Sequence, residues 1–97
     1  MRIESGRMAA DKNDPEWRLL EGKGKRTYDK HINFGQSFSG SPKIVLGLTY
    51  VDFINDSNHR IKVYALNITP NGFTIQIETW ADTHIWAAGV DWIAYGN

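Results

Sequence analysis

Apolar and polar residues alternate one by one along much of this chain, and no stretch repeats them at the spacing of about 3.6 residues that a helix needs. Successive side chains of a strand point to opposite faces, so such alternation commits a segment to a strand with one buried face. Segments of this kind span roughly 3–8, 27–34, 43–53, 60–68, 73–80 and 85–95, bounded by Gly, Pro, Asn and Asp clusters. Six strands with short connections predict an all-β fold, a six-stranded antiparallel β-sandwich. A chain of 97 residues suffices for one hydrophobic core and not for two, so residues 1–97 are read as a single domain.

Between the strands, the polar runs 10–16 and 21–26 read as loops. Lys plus Arg and Asp plus Glu stand at 11 each, giving a formal net charge of zero. That balance removes the general field that nucleic-acid and anionic-membrane binders rely on, and it favours self-association. The sequence has no cysteine, which excludes disulfides, thiol catalysis and cysteine-held metals. Charges stand at the N-terminus where a signal peptide needs an apolar core, and no window reaches a membrane-spanning length. Neither nucleic-acid binding nor membrane insertion is expected.

The hairpin around Thr69-Pro70-Asn71-Gly72-Phe73 can be worked out residue by residue. Pro70 and Asn71 suit the middle of a type I turn, and Gly72 suits the left-handed residue of a three-residue loop. Pairing Thr69 with Phe73 then sets Tyr64 against Glu78, Lys62 against Trp80 and Arg60 against Asp82. The opposite, core face then pairs Ala65 with Ile77, Val63 with Thr79 and Ile61 with Ala81. A two-residue slip sets Arg60 opposite Trp80 and Lys62 opposite Glu78. Either way the outward face carries Arg60, Lys62, Tyr64, Glu78, Trp80 and Asp82.

Such a cluster suits a sugar. Pyranose hydroxyls both donate and accept, so a carboxylate and a guanidinium together read hydroxyl configuration while an indole covers the ring's C–H face. Solvent-exposed hydrogen bonds net only about 0.5–1.5 kcal/mol each, so single sites are weak and useful affinity comes from several sites on one assembly. The competing reading is an ordinary ion pair between Arg60 and Glu78 or Asp82. Trp92, between Val90 and Ile93, reads as core, whereas Trp80 and Trp86 stand at strand ends where packing partners are few. His84 is expected to face solvent. The histidines lack metal-ligand spacing and no loop matches a calcium-binding pattern, so no metal or cofactor is expected. No nucleophile motif, phosphate loop or flanking carboxylate pair appears, and enzyme activity is not expected.

From Glu78-Thr79-Trp80-Ala81-Asp82-Thr83-His84-Ile85-Trp86 to Val90-Asp91-Trp92-Ile93-Ala94, and in Arg2-Ile3-Glu4-Ser5-Gly6-Arg7, Ile32-Asn33-Phe34 and Pro42-Lys43-Ile44-Val45-Leu46, the chain resembles the H-type lectins, the family of the snail agglutinins and discoidins. The resemblance implies a trimer that binds galactose or N-acetylgalactosamine without a metal, in clefts between protomers. It implies sugar contacts by Arg60, Trp80 and Glu78, with Trp86 closing the site from the neighbouring protomer and the 21–26 loop and the strand after it contributing Gly22, Gly24 and Asp29. It also implies action outside the cell or at a cell surface. Ala81 departs from the histidine that follows the tryptophan in the snail agglutinin. A trimeric structural or adhesion module that has lost sugar binding is the alternative.

Overall fold

A computed structural model describes residues 1–97, and it contains strands and loops with no helix. The six strands are β1 (Arg2–Asp11), β2 (Arg26–Asn33), β3 (Lys43–Phe53), β4 (Lys62–Thr69), β5 (Gly72–Thr79) and β6 (Ile85–Gly96). They form two antiparallel three-stranded sheets, ordered β1-β6-β3 and β2-β5-β4, stacked as a β-sandwich. The expected architecture is the observed one. The alternation explains why: Phe73, Ile75 and Ile77 of β5 and Ala88, Val90, Trp92 and Ala94 of β6 all point inward and are buried. Full burial of side chains such as Ile75, Ile77 and Val90 contributes about 1.5–3 kcal/mol each, which makes the two middle strands the anchors of their sheets.

Loop aromatics close the two ends of the sandwich. Phe34 and Phe38 pack with Phe73 and Trp92, the Phe73 and Trp92 rings meeting edge-on at 5.5 Å, so Trp92 is core as expected. At the other end Trp17 and Leu19 cover the core, and Trp17 donates its indole N–H to the Ile85 carbonyl at 2.9 Å. The Trp17 ring lies 5.0 Å from that of Tyr28, whose hydroxyl donates to Asp14 at 2.6 Å.

The hairpin register differs from the expected one. Lys62 pairs with Glu78, Val63 with Ile77 and Ala65 with Ile75, which is the two-residue slip. The loop itself has two residues, with Thr69 paired to Gly72, and the change in register is absorbed between Leu66 and Thr69, where Asn67 adopts a left-handed φ of 54°. Gly72 is therefore not the left-handed residue. It is required for a different reason: a Cβ there would run into the Ile32 carbonyl oxygen of β2. Because the slip is even along Lys62–Leu66, the side chains paired there keep their expected faces, whereas Ala81, expected on the core face, is exposed in a left-handed turn after β5.

The edge strands β3 and β4 leave their inward-facing residues, including Leu46, Val51, Val63 and Ala65, only partly buried, and Leu48 is 42% exposed. The molecule measures 45 × 21 × 19 Å. Its radius of gyration of 14.4 Å exceeds the roughly 12.5 Å of a compact domain this size, because the sandwich is long and its edge strands lie uncovered.

Candidate functional site

The turn between β5 and β6 is fixed by buried threonines. Thr79 and Thr83 are fully buried; the Thr79 hydroxyl donates to the Arg60 carbonyl at 2.6 Å, and the Thr83 hydroxyl donates to the Asn58 carbonyl. These bonds hold the irregular segment before β4 along the end of β5. Burying either hydroxyl without a partner costs about 1–3 kcal/mol, so the two bonds determine where Arg60 sits. The turn closes through the left-handed Ala81, with φ of 57°.

Arg60 projects beside this turn. Its Nη1 donates to Asp82 Oδ1 at 2.9 Å and to Thr83 Oγ1 at 3.0 Å, and its side chain is about a quarter exposed. The hydrogen bond from Arg60 holds the Asp82 carboxyl below the ordinary value of 3.8, so Asp82 is ionised at neutral pH. The ion pair of the competing reading is thus formed with Asp82. Glu78 lies across from Lys62 on one side and Thr27 on the other, and its carboxylate meets Lys25 at 3.6 Å. The Lys62 ammonium sits 5.2 Å from the Trp80 ring centre. Arg60, Asp82, Trp80, Lys62, Glu78 and Lys25 gather on the outward side of one end of the second sheet.

The 21–26 loop completes this end. Gly24 donates its N–H to the Ala81 carbonyl at 2.8 Å, and Arg26 Nη2 donates to the same oxygen at 3.0 Å. The other nitrogens of Arg26 are bound by the carbonyls of Gly24 and Glu21, so this cation works as a brace and burial lowers its pKa. Gly24 has φ of 79°, a backbone that side-chain-bearing residues rarely adopt. On the far side of the loop a cavity of about 490 Å³ opens over Trp17 and Leu20 between Lys12, Arg18 and Arg26.

Two expected site residues lie apart from this cluster within one chain. Asp29 is exposed on β2, where it accepts a hydrogen bond from Gln76 at 3.0 Å, one outward row beyond Glu78. Trp86 belongs to the other sheet. It is the extra residue of a bulge between the pairs Asp52 with Ala87 and Phe53 with Ile85, which turns the indole outward, 39% exposed, with the Lys12 ammonium 4.7 Å from the ring centre.

His84 corrects its expected solvent-facing place. Its Nδ1 lies 2.8 Å from Asp56 Oδ2 and its Nε2 lies 3.0 Å from the Gly22 carbonyl. Ser57 adds a hydrogen bond to the Asp82 carbonyl at 2.9 Å. Nothing in the local pattern marks Asp56, Ser57, Asn58 or Thr83 for these roles, since each acts on a residue more than twenty positions away. No group of three or more His, Asp or Glu side chains gathers in a metal-binding arrangement. Donors, acceptors and an indole face are what this end of the sandwich presents.

An H-type lectin domain model matches residues 29–95. Over 79 residues the chain is 38% identical to a protein of Fuscovulum blasticum described as ATP synthase subunits region ORF 7, covering 81% of this chain and 69% of that protein. It is 32% identical over 77 residues to a discoidin-1 polypeptide of Dictyostelium discoideum, covering 78% of this chain and 30% of that one. Among solved structures, recombinant discoidin II of the same organism superposes with a TM-score of 0.86 at 25% identity, covering 99% of this chain and 38% of discoidin II. The chain therefore spans well under half of both discoidins. The tailspike of Pseudomonas phage phi297 shares the fold, with a TM-score of 0.59 at 13% identity over 95% of this chain and 15% of the tailspike. With the family model spanning most of a sandwich whose strand order and turn are now described, this chain belongs to the H-type lectin domain family.

Proposed function

We propose that this domain is a metal-independent lectin for glycans ending in galactose or N-acetylgalactosamine, made multivalent by assembly into a homotrimer. The observation that carries the reading is the setting of Arg60. One guanidinium nitrogen is anchored by Asp82 and Thr83, so the side chain is preorganised, and its remaining N–H groups are left to donate to sugar hydroxyls. Glu78 and Asp82 supply acceptors, Trp80 the stacking face, and the Gly24 loop a wall; Asp29 lies further along the same face. In this reading Trp86, which is turned outward on the other sheet, closes a neighbouring protomer's site. The uncovered edges of β3 and β4 support assembly, and the lectin acts outside the cell or at its surface. Binding, with no chemistry performed on the sugar, is the activity proposed for the site.

The test is calorimetric titration of N-acetylgalactosamine into the native protein and into Arg60→Ala, with a glycan array for the sugar class. Binding by the native protein and its loss in a folded Arg60→Ala variant support the reading. One observation favours the second reading, a trimeric module without sugar binding: Ala81 offers no polar side chain beside Trp80, so the site has one contact fewer to give. A folded trimer that binds nothing on the array establishes that reading instead.

A further inference from the structure

His84 stands between two acceptors. A neutral imidazole carries one N–H, so it can satisfy either the Asp56 carboxylate or the Gly22 carbonyl, and its bare nitrogen then faces the other oxygen lone pair to lone pair. Only the imidazolium donates to both. These two contacts join three separate pieces of chain: the loop after β3 through Asp56, the 21–26 loop through Gly22, and the turn that carries Trp80, Ala81 and Asp82. The first junction is reinforced by the Ile54 N–H donating to the His84 carbonyl at 2.9 Å and by Ser57 on the Asp82 carbonyl. The second has only the Gly24 N–H and Arg26 on the Ala81 carbonyl besides His84. The Gly24 loop is otherwise exposed, so it is the piece that His84 holds with least help.

We propose that His84 is a positioning residue whose protonated ring clamps the Gly24 loop onto the Trp80–Asp82 turn, making affinity at the adjoining sugar site depend on pH. The consequence for affinity rests on the lectin reading; the clamp itself does not. The charges around the ring favour the cation on balance. Asp56 bonds it directly, Asp82 of its own turn attracts it, and Arg26 across the loop opposes it. The bond to Asp56, then that to the Gly22 carbonyl, raise the His84 pKa above its ordinary 6.5. A raised value means the clamp is fully formed below pH 6.5 and is released as pH rises through the folded value.

The experiment follows the His84 ring by NMR titration and the Gly24 amide by hydrogen exchange at pH 6 and pH 9, in the native protein, Asp56→Asn, His84→Ala and His84→Arg, with N-acetylgalactosamine titrations alongside. Expected are a ring that titrates above 6.5 and shifts down in Asp56→Asn, Gly24 protection that falls as the ring deprotonates, and affinity roughly three- to tenfold weaker at pH 9. His84→Ala should be weak at both pH values, and His84→Arg, which keeps two charged donors, should hold its affinity at both. A ring titrating at or below 6.5, or Gly24 protection indifferent to pH and to His84→Ala, overturns the clamp. Unchanged affinity and pH dependence in His84→Ala overturns its bearing on the site. A clamp that behaves as expected in a protein that binds no sugar at either pH upholds the clamp and refutes the lectin reading.

Discussion

Arg60 and Asp82 are bound Nη1 to Oδ1 at 2.9 Å across the end of the β5–β6 turn, while Glu78, the other candidate partner, turns to Lys25. The same Nη1 also reaches the buried Thr83, which ties the guanidinium to the framework of the turn. The proposed sugar contact and a structural anchor thus fall on one side chain.

Separating those roles is the first prediction. Arg60→Ala should lose N-acetylgalactosamine binding, whereas its melting temperature should fall by no more than about 5 °C, because Asp82 stays solvated and Thr83 keeps its bond to Asn58. Thr83→Val should do the reverse in degree, removing a buried hydroxyl that serves two partners and costing about 1–3 kcal/mol in a urea titration. Undiminished affinity in folded Arg60→Ala contradicts the assigned role.

Gly72 and Gly24 should respond differently to alanine. At Gly72 the new Cβ meets backbone of β2 inside the second sheet, which cannot move aside, so the loss should be about 3 kcal/mol. Gly24 has open space around it and a positive φ only, so Gly24→Ala should cost about 1 kcal/mol of strain and weaken sugar binding more than stability. Chemical denaturation of both variants checks the ranking.

Acid sensitivity follows from three carboxylates. The Tyr28 hydroxyl depresses Asp14, Arg60 depresses Asp82, and Arg7 depresses Asp91, each below 3.8. A depressed folded value contributes stability above pH 3.8 that disappears as pH falls through that value, so the thermal midpoint should drop below about pH 3.8 and be insensitive to these groups from pH 5 upward. Tyr28→Phe and Arg7→Ala should each flatten the acid limb in a calorimetric pH series.

Assembly is tested through Trp86. Light scattering should report a trimer, with interfaces on the order of 800 Å² per partner. Because Trp86 lies apart from Arg60 within one chain, Trp86→Ala should weaken sugar binding while the trimer persists. A monomer at micromolar concentration removes the shared site and the avidity that goes with it.

Agglutination of red cells should survive EDTA and be blocked by free N-acetylgalactosamine. Calcium takes about six or more oxygens, and the acids nearest the site are already bound to Arg60 and Lys25. Loss of agglutination on chelation, restored by calcium, would reassign Glu78 and Asp82 from sugar acceptors to metal ligands.

Alternation by itself determined the strands, the two faces of each strand, and the set of side chains on the outward face of the β4–β5 hairpin. Those properties depend on residue parity, and parity survives any even change of register. The register was decided elsewhere: the left-handed Asn67 within β4 shortens the hairpin loop to two residues, and the β2 backbone against Gly72 leaves no room for a side chain. No local pattern encodes either event, because each depends on a neighbouring strand. The second partner of Arg60, Thr83, the two-sided binding of His84 and the bulge at Trp86 belong to the same class. Thr83 meets Asn58, Asp82 meets Ser57 and Gly24 meets Ala81 only when three loops converge at one end of the sandwich. Local sequence sets which way a side chain points; packing of distant segments sets what it meets there.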